Sequence, residues 1–221
     1  MFSPTTRKNG FTLIELLAVI TIIAILAALV FAGSQKMITS ADSVGCLNNL
    51  RQIGVAVTMY AGEHQGLLPG PCDNSMRSTY RINNSDIGAF LAPYWNLPPA
   101  DTITRDAPAL MCPAWKRQMK TATEARCYWN PARIKGYYDT NGLPLYFPFK
   151  GGSNSPLRMQ AILSIPGLMS SKQWMIQDYD QVNNAQTVTP GQAATPVHGT
   201  VRNALFFDCH VESVPVSTVL N

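Results

Sequence analysis

Apolar positions crowd the start of the chain. Residues 11–32 read FTLIELLAVITIIAILAALVFA and carry a single charge, Glu15. At 1.5 Å per residue this run extends about 33 Å as a helix, enough to cross a hydrocarbon core of about 30 Å. Beyond it the pattern turns from continuous to periodic. Met37, Ala41, Val44, Leu47, Leu50, Ile53, Val57 and Tyr60 recur every three or four residues, with Asn48, Asn49, Arg51 and Gln52 among them. That spacing predicts an amphipathic helix with one buried face. No proline stands between Pro4 and Pro69. The two patterns therefore join into one predicted rod, from about residue 12 to about residue 62 and roughly 75 Å long. Gly33, Gly45 and Gly54 weaken it by up to about 1 kcal/mol each relative to Ala, and serve as bends where the face packs.

The chain from 63 to 221 breaks into short pieces. Residues 66–74, with Pro69, Gly70 and Pro71, form a turn-rich linker. Ile87, Phe90, Leu91 and Tyr94 have helical spacing over 85–94, with Ser85 as its cap. β-branched and aromatic residues predict short strands at 109–112, 126–129, 145–149 and 173–177. The strongest hairpin signal is the last, 203–207 against 210–214 around Asp208-Cys209. A two-residue turn needs positive φ and favours Asp-Gly, so Cys209 points to a wider turn. The expected fold is α+β: a long N-terminal helix, half membrane-spanning and half amphipathic, packed on a small, loop-rich, mainly antiparallel β body.

Composition narrows the setting. At 221 residues the chain holds one to one and a half domains, and 46% hydrophobic against 14% charged residues excludes a disordered chain. The net charge is +4, and basic residues adjoin only at Arg7-Lys8 and Lys116-Arg117, so no nucleic-acid partner is expected. Five cysteines and 16 prolines fit a loop-rich body outside the reducing cytosol. The apolar run exceeds the 7–15 residues of a secretory signal, and Ala27-Ala28-Leu29 lies inside it rather than in a polar break after it. Arg7 and Lys8 before the span, with only Lys36 soon after it, place the N-terminus in the cytoplasm and the body outside.

Lys8-Asn9-Gly10 followed by Phe11-Thr12-Leu13-Ile14-Glu15-Leu16-Leu17 resembles the leader of type IV pilins and type II secretion pseudopilins. The resemblance implies cleavage by a prepilin peptidase between Gly10 and Phe11 and methylation of the new Phe11 amine. It makes Glu15 the fifth mature residue and an assembly determinant. Its parts are then a leader at 1–10, a helix at 11–62 with its transmembrane part at 11–32, and a periplasmic body at 63–221. The implied protein is a structural subunit of a pilus-like filament or secretion pseudopilus in the bacterial inner membrane. Its implied partners are membrane lipid, other pilin subunits and an inner-membrane assembly platform. Ala32 departs from the proline that many members have there. Cys46-Leu47-Asn48-Asn49-Leu50-Arg51-Gln52-Ile53-Gly54, Met111-Cys112-Pro113, and His198 with nine residues before Asp208 are similar to a planctomycete-type group of pilin-like proteins. That group has His-x9-Asp-Gly, where this chain has Cys209 for the glycine.

The alternative is a membrane-anchored binding or enzymatic domain that uses a pilin-type leader. His198, Asp208 and His210 are close in sequence and offer zinc or iron ligands, against a simpler role in holding the hairpin loop. Asp178, Asp180, Asn183 and Asn184 offer oxygen ligands for calcium, against an exposed polar loop. No GxSxG, P-loop, HExxH or Rossmann fingerprint is present. The expectation is therefore no enzyme, no cofactor and no metal. Cys112 and Cys127 are the candidate disulfide, which would close a loop worth about 3 kcal/mol. An odd cysteine must remain, and Cys46 on the rod is the candidate, against a buried helical cysteine.

Overall fold

The structure is a computed structural model that describes residues 12–82, 85–119, 124–130, 133–138, 144–146, 149, 156–183 and 189–218. Contacts divide the chain into two units, Met1–Ser40 and Ala41–Asn221. A single helix, α1 (Leu13–Glu63), contributes to both. In the first unit its large apolar side chains from Leu13 to Phe31 are exposed.

In the second unit α1 is amphipathic, as the periodicity predicts. Cys46, Leu50, Ile53, Ala56 and Val57 are fully buried, and Tyr60 packs partly against the same core. The buried face is rotated from the predicted one. Met37, Ala41 and Val44 are exposed, while Asp42 and Cys46 turn inward. The reason is that Asp42 pairs with Arg117 and Cys46 bonds covalently across the core, so these two side chains set the face.

The body is built on one antiparallel sheet of five strands in the order β1-β4-β7-β8-β9. These are β1 (Ser75–Arg77), β4 (Arg126–Trp129), β7 (Trp174–Asp178), β8 (Val201–Phe206) and β9 (Val211–Pro215). Two small pairs flank it in sequence: β2 (Thr79–Tyr80) with β3 (Arg105–Asp106), and β5 (Arg133–Tyr138) with β6 (Pro144–Tyr146). Short helices α2 (Ile87–Leu91), α3 (Pro113–Gln118) and α4 (Met159–Leu163) join them. The fold is α+β, as expected.

α1 meets the sheet closely. A Cβ on Gly54 would stand 3.0 Å from Leu205 Cδ1 of β8. The glycine thus lets helix and strand approach, rather than marking a bend. Central strands β7 and β8 are buried along nearly their whole length. One face packs Met175, Ile176 and Leu205 into the core with α1, and the other gathers Trp174, Ala204, Phe206 and Val214 beside Trp129.

Several local expectations change. The strand at 109–112 is instead a single 3-10 turn, Pro108–Leu110, followed by two extended residues. Pro108 and Pro113 explain this: each lacks an N–H, and a residue before proline is pushed to extended backbone. Ser85 does not cap α2. Asp86 holds that position without a side-chain cap bond, because its carboxylate binds Arg77 at 2.7 Å. Pro93 then tightens the continuation into a 3-10 turn, Ala92–Trp95. The strand at 173–177 lies one residue later, and of 145–149 only the start is in β6, with 147 and 148 outside the described residues. The last hairpin has the wider turn. Phe206 N–H donates to His210 O, Cys209 N–H donates to Phe206 O, and Cys209 has φ of 67°. This is a three-residue loop whose last residue is left-handed, where glycine is usually found.

Candidate functional site

Two places carry chemistry, one in each unit. At the N-terminus Thr12 precedes the first helical residue and Glu15 is the third. Glu15 Oε2 accepts the Thr12 backbone N–H at 2.9 Å and its hydroxyl at 2.7 Å, and Glu15 N–H reaches the Thr12 hydroxyl at 3.4 Å. This is a reciprocal capping box at the helix start. From Leu13 to Phe31 the helix is long and apolar enough to cross a membrane. Gly10 and Phe11 lie outside the described residues.

In the body, one stripe of α1 clamps the segment around α3. Asp42 binds Arg117 at 2.6 Å. A Cβ on Gly45 would lie 3.1 Å from Pro113, so the absence of a side chain lets α3 close in. Cys46 and Cys112 form a disulfide. Asn49 Nδ2 donates to Met111 O at 2.8 Å. Positions 42, 45, 46 and 49 repeat at steps of three and four, so all four face the same way from one helix.

The disulfide replaces the candidate Cys112–Cys127 pairing. Cys127 is close, with the Cys112 backbone N–H facing its thiol, but it remains free and buried. Burial pushes that thiol up to about 12. The helix, not the sheet, supplies the partner, because Asn49 and Asp42 fix the 111–117 segment over Cys46. Cys46 is therefore not the odd cysteine. Cys72 and Cys127 are buried free thiols and Cys209 is an exposed one.

His198 closes the site from the loop before β8, where it bridges Val201. Its Nε2 lies 3.5 Å from Cys112 Sγ and 3.6 Å from Asp178 Oδ2, and its side chain is 3% exposed. Asp178 ends β7 and accepts the Asn203 N–H of β8 at 2.7 Å. Burial raises the Asp178 carboxyl to about 7, with the Asp180 charge adding and the Asn203 N–H opposing. Burial also lowers His198 below the usual imidazole range. Both neighbours therefore favour their neutral forms.

His198 and Asp208, grouped in sequence, do not act as a pair. Asp208 instead binds His210 at its own turn, and His198 faces the disulfide and Asp178. Among the described residues, the ligand atoms of Cys46, Cys112 and His198 lie within 4.8 Å of one another, the two sulfurs joined as the disulfide, and Asp208 and His210 are not in that group. The acidic loop is not the exposed polar loop expected, since Asp178 and Asp180 are both buried. Asp180 is buried, accepts from two of the three guanidinium nitrogens of Arg202 at 2.7 and 3.0 Å, and accepts the N–H groups of Val182 and Asn183. Asn184 lies outside the described residues. Sequence reasoning missed Asp178 beside His198, since twenty residues separate them and only strand pairing joins them.

The chain matches the family model for the prokaryotic N-terminal methylation motif over residues 5–31. No curated protein and no solved structure matches it. The matched segment spans Gly10, Phe11, Thr12 and Glu15 and nearly all of the exposed apolar half of α1. The chain therefore carries the methylation motif of prepilin-type leaders on a helix suited to single-pass membrane anchoring.

Proposed function

We propose that this chain is the precursor of a structural subunit of a type IV pilus-like filament or a type II secretion pseudopilus. A prepilin peptidase cuts between Gly10 and Phe11 and methylates Phe11. The mature subunit sits in the bacterial inner membrane by its apolar helix, with the body in the periplasm, until an assembly platform packs it against other copies. The observation that carries this reading is the methylation motif joined to an uncovered apolar helix with one charge, Glu15. Val44, Val55 and Met59 are also exposed on the second half of α1, as a helix that packs against its neighbours requires. The disulfide agrees with a body in an oxidising compartment.

Mass spectrometry of the mature protein tests the proposal. The chain should begin at Phe11 with one added methyl group on its nitrogen. Arg7 and Lys8 leave with the leader, so the formal charge falls from +4 to +2. A mature N-terminus at or after Ala27-Ala28 would mean that ordinary signal peptidase releases a soluble protein. A methylated Phe11 in a protein that never enters filaments would favour the membrane-anchored binding domain instead.

A further inference from the structure

We propose that the reduced chain holds one zinc ion between Cys46, Cys112 and His198, with Asp178 as the fourth ligand. The ligand atoms of the first three lie within 4.8 Å of one another. Two thiolates and an imidazole form a set that prefers zinc to the hard cations calcium and magnesium. The spacing fits as well. With Zn–S of about 2.3 Å and Zn–N of about 2.0–2.1 Å, a tetrahedral zinc sets sulfur and nitrogen about 3.6 Å apart. Cys112 Sγ and His198 Nε2 are 3.5 Å apart already. The two sulfurs must part, from a covalent bond to about 3.8 Å, the separation such a zinc sets between two thiolates, and Asp178, which is outside the group of three, must close in on them.

An independent observation points to the fourth ligand. Asp178 is 3% exposed, and its Oδ1 is buried with no hydrogen-bond partner. Its Oδ2 lies 3.6 Å from the same His198 Nε2 that faces the sulfur. A buried carboxylate oxygen left unpaired is costly unless something positive or a donor meets it. Zinc would meet it. The segments that carry the ligands are anchored separately, by Asn49 to Met111, Asp42 to Arg117, and His198 to Val201. Cys46 and Cys112 are both fully buried, which suits a closed structural ion rather than an open catalytic one.

The two states exclude each other. Binding requires two thiols, each of which gives up a proton to the solvent as it ligates, as the Asp178 carboxyl does when it starts protonated. A low-molecular-weight disulfide reverses this: it takes two electrons from the paired thiolates, becomes two thiols with two protons from solvent, and leaves the Cys46–Cys112 bond and a free zinc ion. The body thus has one core staple in a reducing setting and another in an oxidising one.

Cobalt is the probe, since tetrahedral Co2+ bound to thiolates shows strong visible bands and a near-ultraviolet charge-transfer band. The full chain in detergent, reduced with a phosphine, should bind one Co2+ with both features and lose them to one equivalent of Zn2+. Oxidised glutathione should abolish binding. Zn2+ should raise the thermal midpoint of the reduced chain and leave that of the oxidised chain unchanged. Asp178→Asn should weaken binding by more than the about 10–100-fold that loss of an outer-shell carboxylate costs, and His198→Ala should remove the tetrahedral bands. Cys127→Ala and Cys209→Ser should leave them intact. X-ray absorption on the zinc-loaded wild type needs no variant and should report two sulfurs and two lighter ligands. An octahedral cobalt spectrum, an all-sulfur or all-oxygen zinc shell, or loss of the bands in Cys127→Ala would overturn the site.

Discussion

Thr12 and Glu15 hold each other across the first turn of α1, with Glu15 Oε2 2.9 Å from the Thr12 nitrogen and 2.7 Å from its hydroxyl. The single carboxylate of the apolar segment thus has two local donors before any neighbouring chain arrives. Its role in closing the helix end and the proposed role of its charge in assembly with other subunits are separable, because the first needs only a hydrogen-bond acceptor and the second needs charge.

Glu15→Gln separates them. Glutamine at this position still reaches back to the Thr12 N–H, so the cap survives while the charge is lost. The variant should insert and be cleaved at Gly10, and its filament yield should fall about tenfold or more, the effect of about 1.4 kcal/mol. Thr12→Val should instead cost about 0.5–2 kcal/mol at the helix end and leave assembly in place. Cross-linking of intact cells, with cleavage confirmed by mass, reads both. If Glu15→Gln assembles like wild type, the Glu15 charge is not an assembly determinant.

Non-reducing peptide mapping should recover Cys46 linked to Cys112, with Cys72, Cys127 and Cys209 alkylated as free thiols. The bridge spans 66 residues, so the chain-entropy model gives it about 4 kcal/mol. The double change Cys46→Ala with Cys112→Ala should lower unfolding stability by that order. Cys127→Ala leaves the bridge and should cost about 1 kcal/mol, as a small buried truncation does. A peptide joining Cys112 to Cys127 would refute the assignment.

The length of α1 was legible because its signal is periodic and unbroken by proline. Its inward face was less so. Apolarity favoured Val44 and Met37, whereas the structure selects Asp42 and Cys46 through partners more than sixty residues away. Strands at Arg126–Trp129 and around Trp174 show in their residue types. The segment at 109–112 carries the same residue types, but its prolines override them. The processing motif is local and can be read directly. The Cys46, Cys112, His198 and Asp178 cluster is assembled from four distant segments, and no spacing along the chain encodes it. Gly54 looked like a weak point of the helix because the strand it admits lies about 150 residues later in sequence, at Leu205.

The buried pair of Asp180 and Arg202 should be sensitive to removal of either partner. Arg202 Nε and a terminal nitrogen bind both carboxylate oxygens, and the side chains are 1% and 8% exposed. Arg202→Ala leaves a buried carboxylate with backbone donors but no cation. Breaking a buried pair in this way costs about 3–5 kcal/mol. Denaturant unfolding of the full chain in detergent should show that loss, whereas exposed Lys172→Ala should change stability by less than about 0.5 kcal/mol. Equal small effects from both would mean that the pair is not buried in solution.

Gly54 and Gly62 lie on the same helix and should respond in opposite directions. A Cβ at Gly62 meets nothing within 4 Å, so Gly62→Ala gains helix propensity and should stabilise by up to about 1 kcal/mol. At Gly54 the Cβ already stands 3.0 and 3.4 Å from the two Leu205 methyls. Gly54→Val adds branches into that contact and should destabilise by about 1–3 kcal/mol. Leu205→Ala alone opens a cavity and should cost about 2–5 kcal/mol. Together the two changes exchange volume across one contact, since the valine methyls enter the space the leucine vacates. The double variant should therefore be more stable than the sum of the single effects predicts, by about 0.5–3 kcal/mol. A thermal or denaturant double-mutant cycle measures this directly. Additive losses would show that α1 and β8 do not touch at these residues, and the close approach of helix and sheet would have to be placed elsewhere.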